Sequence, residues 1–158
     1  MSDEAERTWD LMERFPLCTL ATWDGNELRS RPMTAFVRRR NEAVYLLVDA
    51  AIYSDQAIRA YPSVCLTFAD TASDQIVSVT GTAQMSADRA VIRELWTTSA
   101  RQFWDSADNP QIRMLRITPK EARLLDARSQ VVIAVRLAIG GASAGPRKLA
   151  DGPGVAIQ

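Results

Sequence analysis

Residues 77–85 alternate almost without fault, with Val77, Val79, Ala83 and Met85 on one face and Ser78, Thr80, Thr82 and Gln84 on the other. A period of two marks a strand with one buried face. Gly81 falls in the middle of the run and predicts a bulge or a close approach by another segment. Similar runs predict strands over Leu17–Trp23, Leu28–Val37, Ala43–Val48, Val64–Ala69, Ile112–Ile117 and, as a short extended piece, Ala122–Leu125. Asp24-Gly25 is a tight turn that joins the first two of these into a hairpin. Pro32 lies inside the returning strand and cannot donate to a ladder, so that strand is an edge, is bulged, or opens on a ligand.

Helical spacing appears four times. Ser2–Phe15 has Ser2 or Asp3 as cap, Glu4 and Glu6 in its first turn, and Trp9, Met12 and Phe15 at intervals of three, with Pro16 as the stop. Tyr53–Ala60 is a short helix ended by Tyr61-Pro62. Ser86 caps another, with Asp88 in the first turn and Val91, Ile92, Leu95, Trp96 and Ser99 as its inner stripe. A last helix is predicted over Gln130–Ala138. Arg38-Arg39-Arg40-Asn41 reads as a solvated polar turn. The Gly/Pro-rich tail, 139–158, cannot pack a core and reads as a flexible or partner-embraced linker, which leaves 1–138 as the domain. Six or so strands with inserted helices and no βαβ alternation predict a mostly β (α+β) fold, a six-stranded antiparallel barrel that is closed or half-closed.

Composition narrows the chemistry. At 158 residues the chain is one domain long. Its 19 basic and 19 acidic residues cancel, so nucleic acid and membrane surfaces are not expected partners. The acidic start Ser2-Asp3-Glu4 and the short apolar runs point to a soluble cytoplasmic protein. Cys18 and Cys65 read as buried free thiols. Histidine is absent from the sequence, which removes Ser-His and Cys-His nucleophiles and the commonest metal ligand; no metal site is expected. What remains is chemistry carried by a bound cofactor that the protein positions. No catalytic side chain is apparent.

The segment Arg29-Ser30-Arg31-Pro32-Met33-Thr34 carries the strongest hint of what that cofactor is. A guanidinium is always charged and its planar fork suits phosphate. Two of them in a strand either seek an anion or alternate outward on a solvated face. Spacing alone leaves both readings open.

The ordered signals resemble a known family, the FMN-binding split barrels related to pyridoxamine 5′-phosphate oxidase, in the general stress protein 26-like branch. The carriers are Leu20-Ala21-Thr22, Arg29–Met33, Val44–Leu47, Ile58–Val64, Val77–Ala83, Asp88-Arg89, Leu95-Trp96 and Leu115–Pro119, ending at Asp126. The resemblance spans roughly residues 5 to 140. It implies a homodimer with two FMN sites in the dimer groove, each lined by both subunits. It also implies that Arg29, Ser30, Arg31, Pro32, Met33 and Thr34 run beside the flavin, with an arginine on the phosphate or ribityl chain and backbone near Pro32 and Met33 on the ring. Leu47, Phe103 and Trp104 join the implied cofactor site.

The departures are equally specific. Where relatives place a threonine at the end of the third strand and a lysine at the start of the next helix, this chain has Val48 and Ser54, with Arg59 or Tyr53 as substitutes for the lost cation. Gln102-Phe103 stands for the usual Trp-Phe, partly restored by Trp104, and Leu124-Leu125-Asp126 for Tyr-Trp-Asp. The Arg-x-His type motif of true pyridoxamine phosphate oxidases is missing, which disfavours vitamin B6 oxidation. The resemblance therefore implies an FMN-dependent oxidoreductase or flavin-binding stress protein. The alternative is a degenerate split barrel that serves as a dimeric interaction or small-ligand module. The deazaflavin F420 is a less favoured occupant, and haem lacks its usual histidine ligand.

Overall fold

The computed structural model describes residues 2–128 and 130–137, together with the backbone of 146–148. Helix α1, Asp3–Arg14, is capped by Ser2, whose Oγ accepts the Ala5 amide, and Glu4 and Glu6 occupy its first turn as the sequence suggests. Strands β1 (Leu17–Trp23) and β2 (Leu28–Thr34) form the expected hairpin, in register from Leu17–Thr34 to Trp23–Leu28. Gly25 turns it with φ +95°, a value that other residues rarely adopt.

The predicted strand through Val37 splits in two. After Ala35 the chain begins β3 (Phe36–Arg38), which pairs with β4 (Ala43–Asp49) instead of β1. Helix α2 (Asp55–Ala60) then leads to β5 (Ser63–Asp70) and β6 (Gln75–Ser86). Helix α3 spans Arg89–Leu95 and is capped by Asp88, not Ser86: the Asp88 carboxylate accepts the Ala90 and Val91 amides, whereas Ser86 Oγ accepts only that of Asp88.

Strand β7 runs unbroken from Ile112 to Asp126, so the two extended pieces predicted as Ile112–Ile117 and Ala122–Leu125 are one strand with a bulge between them. Thr80 faces Glu121 while Gly81 faces Pro119, leaving Lys120 as the extra residue. Gly81 is required there by space, since a Cβ would lie 2.4 Å from the Thr118 carbonyl oxygen.

The helix predicted over Gln130–Ala138 is instead a strand, β8 (Val131–Arg136), paired with the second half of β7. Its run of Val, Val, Ile and Val favours extended backbone, and β7 offers it a free edge once β4 has been used up on the first half. Pro146–Lys148, in the stretch read as a linker, forms β9 beside β8. Ala138 and the rest of 139–158 lie outside the described residues.

The sheet order is β2-β1-β5-β6-β7-β4-β3, with β8 and β9 continuing from β7, so the described strands number nine and not six. Its two path ends, β2 and β3, are consecutive in the chain and joined only by Ala35. The sheet therefore has to curl on itself into a split barrel. Its interior is filled by Leu20, Leu66, Phe68, Val79, Leu115, Ile117 and Leu124, and Trp9 and Met12 of α1 complete the same core. Arg39, read as part of a solvated turn, sits in a 3₁₀ turn and bonds the α1 carboxylates of Glu6 and Asp10, which fastens that helix to the barrel. A smaller apolar cluster of Leu47, Ile92, Leu95, Ala100, Ile112 and Met114 packs α3 on the other face of β4 and β7. Among the described residues no helix is long and apolar enough to cross a membrane.

Candidate functional site

Two adjoining cavities meet at Arg31, Ile52 and Tyr53. The larger, about 690 Å³, is bounded by β2 from Arg31 to Thr34, by the end of β4 at Leu47, Val48 and Asp49, and by Ala100, Phe103 and Trp104 beyond α3. The smaller, about 580 Å³, lies between Arg29 and Arg31 on one side and Ser54, Ala57 and Ile58 on the other, with Thr22, Trp23, Asp24 and Asn26 from the hairpin. Both volumes are in the range of small-molecule sites.

The strand period explains the placement of the arginines. Arg29 and Arg31 are two residues apart on β2, so they share a face. Their electrostatic situations nonetheless differ. Arg29 is bound within the hairpin, Nε 3.3 Å from Asp24 Oδ2 and Nη2 3.1 Å from Glu27 Oε2. Asp24 is itself fixed, because its Oδ1 accepts the amides of Asn26 (2.8 Å) and Glu27 (2.7 Å). Those amides, the Glu27 one foremost, with Arg29 adding to them, hold its carboxyl below the usual carboxylate range. Arg31 is half-buried and has no ion pair or hydrogen bond among the described residues; its guanidinium carbon lies 5.9 Å from the centroid of the Tyr53 ring. Tyr53 is almost wholly buried. Burial pushes its phenol up, against the opposing charges of Arg31 and Arg29, so it is a neutral O–H donor at physiological pH.

Apolar groups dominate the larger cavity. Trp104 is held in its wall by donating from Nε1 to Asp49 Oδ2 at 3.0 Å, while Asp49 Oδ1 accepts the Ala51 amide. Phe103 tilts against Trp104 with centroids 5.9 Å apart and is 75% exposed. Leu17 and Ile52 are also exposed at this rim, which leaves an apolar lip around the opening.

The structure thus gathers Arg31, Pro32, Met33, Thr34, Leu47, Val48, Phe103 and Trp104 around one cavity, and Arg29, Arg31 and Ser54 around the other. Ser30 and Arg59 border neither. Ser30 is on the opposite face of β2 from the arginines, and Arg59 is exposed and paired with Asp55 at 2.9 Å. Ser54 is the cap of α2, its Oγ accepting the Ala57 amide, which leaves only its O–H proton to offer. Asp49, Ile52, Trp23 and Asp24 border the cavities although none was marked as a site residue in the sequence, Asp24 having been read only as part of a turn.

Among the described residues no group of three or more potential metal ligands converges. Both cysteines are free, and burial pushes the Cys18 thiol up to about 12, far from a reactive thiolate. The arrangement suits a flat aromatic group with an anionic arm: apolar walls for the first, an unneutralised guanidinium and a phenol O–H for the second.

A family model described as pyridoxamine 5′-phosphate oxidase like matches residues 3–144. General stress protein 26 of Bacillus subtilis (strain 168) is 22% identical over 138 residues, covering 85% of this chain and 97% of that protein. A Clostridium acetobutylicum protein related to general stress protein 26 has the same fold, with a TM-score of 0.72 at 16% identity over 86% of this chain and 96% of that one. So does the general stress FMN/FAD binding protein of Xanthomonas citri, at TM-score 0.67 and 17% identity over 78% of this chain and 89% of that one. The split barrel, its order of strands and the family match agree, and the chain belongs to the pyridoxamine 5′-phosphate oxidase like family.

Proposed function

We propose that this chain is a flavin-binding protein of that family, an FMN-dependent oxidoreductase or flavin-binding stress protein, and not a vitamin B6 oxidase. The observation that carries the reading is Arg31, a half-buried cation without a counter-ion among the described residues, at the junction of an apolar and a polar cavity. Arg31 and Tyr53 would hold the phosphate, with the Ser54 hydroxyl as a weaker third donor. Met33, Leu47, Ala100 and Trp104 would flank the isoalloxazine and exclude water from it. When bound, the flavin supplies the redox chemistry; the side chains bind, orient and shield it. The FMN/FAD-binding description of the Xanthomonas citri protein supports the same occupant.

A homodimer belongs to this proposal. The exposed Leu17, Ile52 and Phe103 at the cavity lip favour a second copy that covers them. A cytoplasmic setting is likewise proposed, supported by the two free cysteines.

The test is an absorption spectrum of the purified protein followed by FMN titration. Binding with quenched flavin fluorescence is expected, weakened roughly ten- to a hundredfold by Arg31→Ala through loss of one charge-assisted contact. A colourless protein that leaves FMN fluorescence unchanged would refute the reading. A second reading, a split barrel that has given up flavin and serves as a small-ligand or interaction module, is favoured by Val48 and by the engagement of Arg29 and Ser54. Ser54→Lys separates the two, since a steep gain in FMN affinity would mark an eroded phosphate site.

A further inference from the structure

The charges of the smaller cavity are not evenly available. Arg29 and Arg31 supply two cations on the same face of β2, and the hairpin turn supplies two carboxylates, Asp24 and Glu27, both spent on Arg29. The Asp24 arm of this clasp is prebuilt. Its Oδ1 is committed to the turn amides, which aims Oδ2 at Arg29 Nε, and Asp24 itself borders the cavity. An incoming phosphate therefore meets one free guanidinium, one engaged guanidinium and one carboxylate. Repulsion from that carboxylate grows with the charge of the phosphate.

We propose that Asp24, assisted by Glu27, is a specificity-determining residue that keeps Arg29 from the ligand and so sets how strongly the site prefers a phosphorylated flavin over its neutral, unphosphorylated counterpart. This rests on the flavin reading above. Arg31 supplies the basal preference for phosphate, and Arg29 is a reserve cation released when the clasp is opened. The clasp is solvent-exposed, which makes each of its ion pairs weak and its opening readily reversible.

The experiment compares FMN and riboflavin affinities, by fluorescence quenching at fixed low ionic strength, in the wild type, Asp24→Asn/Glu27→Gln, Arg29→Ala, Arg31→Ala, and the triple variant that combines the first pair with Arg29→Ala. Asn at 24 retains an amide oxygen for the turn, and circular dichroism checks that each variant folds. The expected result is that opening the clasp raises the ratio of FMN to riboflavin affinity about three- to tenfold. Arg29→Ala alone should lower the ratio less than Arg31→Ala does, and in the open-clasp background it should remove most of the gain, the relief of carboxylate repulsion leaving the remainder. Arg31→Ala should lower the ratio. A ratio unmoved by Asp24→Asn/Glu27→Gln, or one that Arg29→Ala depresses in the wild type as strongly as Arg31→Ala does, overturns the proposal while leaving flavin binding intact. Failure of the wild type to bind either flavin overturns the flavin reading itself, and this inference with it.

Discussion

Gly81→Ala tests the bulge in the pairing of β6 with β7. The substituted Cβ would sit 2.4 Å from the Thr118 oxygen, 3.0 Å from its carbonyl carbon and 3.1 Å from Pro119 Cα, all backbone atoms that cannot rotate away. An unstrained carbon–oxygen contact is about 3.3 Å, so β6 and β7 would have to part locally by about 1 Å. Overpacking of this kind costs about 1–3 kcal/mol, and stretching one ladder hydrogen bond beside the bulge adds about 1 kcal/mol. Against this, alanine loses less backbone entropy on folding, a gain of about 0.4–1 kcal/mol because Gly81 does not have a left-handed φ. The net is about 1–3.6 kcal/mol, or a fall in Tm of about 2–14 °C for a chain of this size. Differential scanning calorimetry measures it, with Lys120→Ala as control: that residue is exposed at the bulge and its loss should cost under about 0.5 kcal/mol. A Gly81→Ala protein within 2 °C of the wild type, or more stable, would refute the close approach of β6 and β7.

Three other outcomes are expected. Because burial raises the Cys18 thiol from 9.0 to about 12, the folded state resists ionisation that the unfolded chain undergoes, so stability is full below pH 9 and is lost as pH rises toward 12. Urea unfolding should show the wild type losing about 1.4 kcal/mol between pH 8 and pH 10 relative to Cys18→Ala. Ser54→Ala removes the cap of α2 and should destabilise by about 1 kcal/mol in the same assay; an unchanged midpoint would mean that the Ser54 to Ala57 contact contributes nothing. Trp104→Phe removes the donor to Asp49 and should cost about 1.5 kcal/mol, with a matching loss of FMN affinity if the wall it anchors holds the ring.

Local pattern carried much of this protein. The alternation of β6, the Ser2 cap of α1 and the Asp24-Gly25 hairpin each depend on residues within a few positions of one another, and the structure reproduces them. The Arg29–Thr34 segment was legible as a strand, and most of it borders the cavities. Where sequence reading failed, the deciding partner was remote. Val131–Arg136 became a strand because β7 had an edge to offer, and Ile112 through Asp126 stayed one strand because a bulge opposite Gly81 absorbed Pro119.

The sequence by itself determined the kind of fold, the absence of histidine and the alternation that puts Arg29 and Arg31 on one face of a strand, since these follow from periodicity, residue type and short-range bonding. Only the tertiary structure decided which arginine is available. Arg29 and Arg31 are chemically identical and two residues apart, but one lies within reach of the hairpin's carboxylates and the other is brought by the fold to 5.9 Å from the ring of Tyr53, which is distant in sequence.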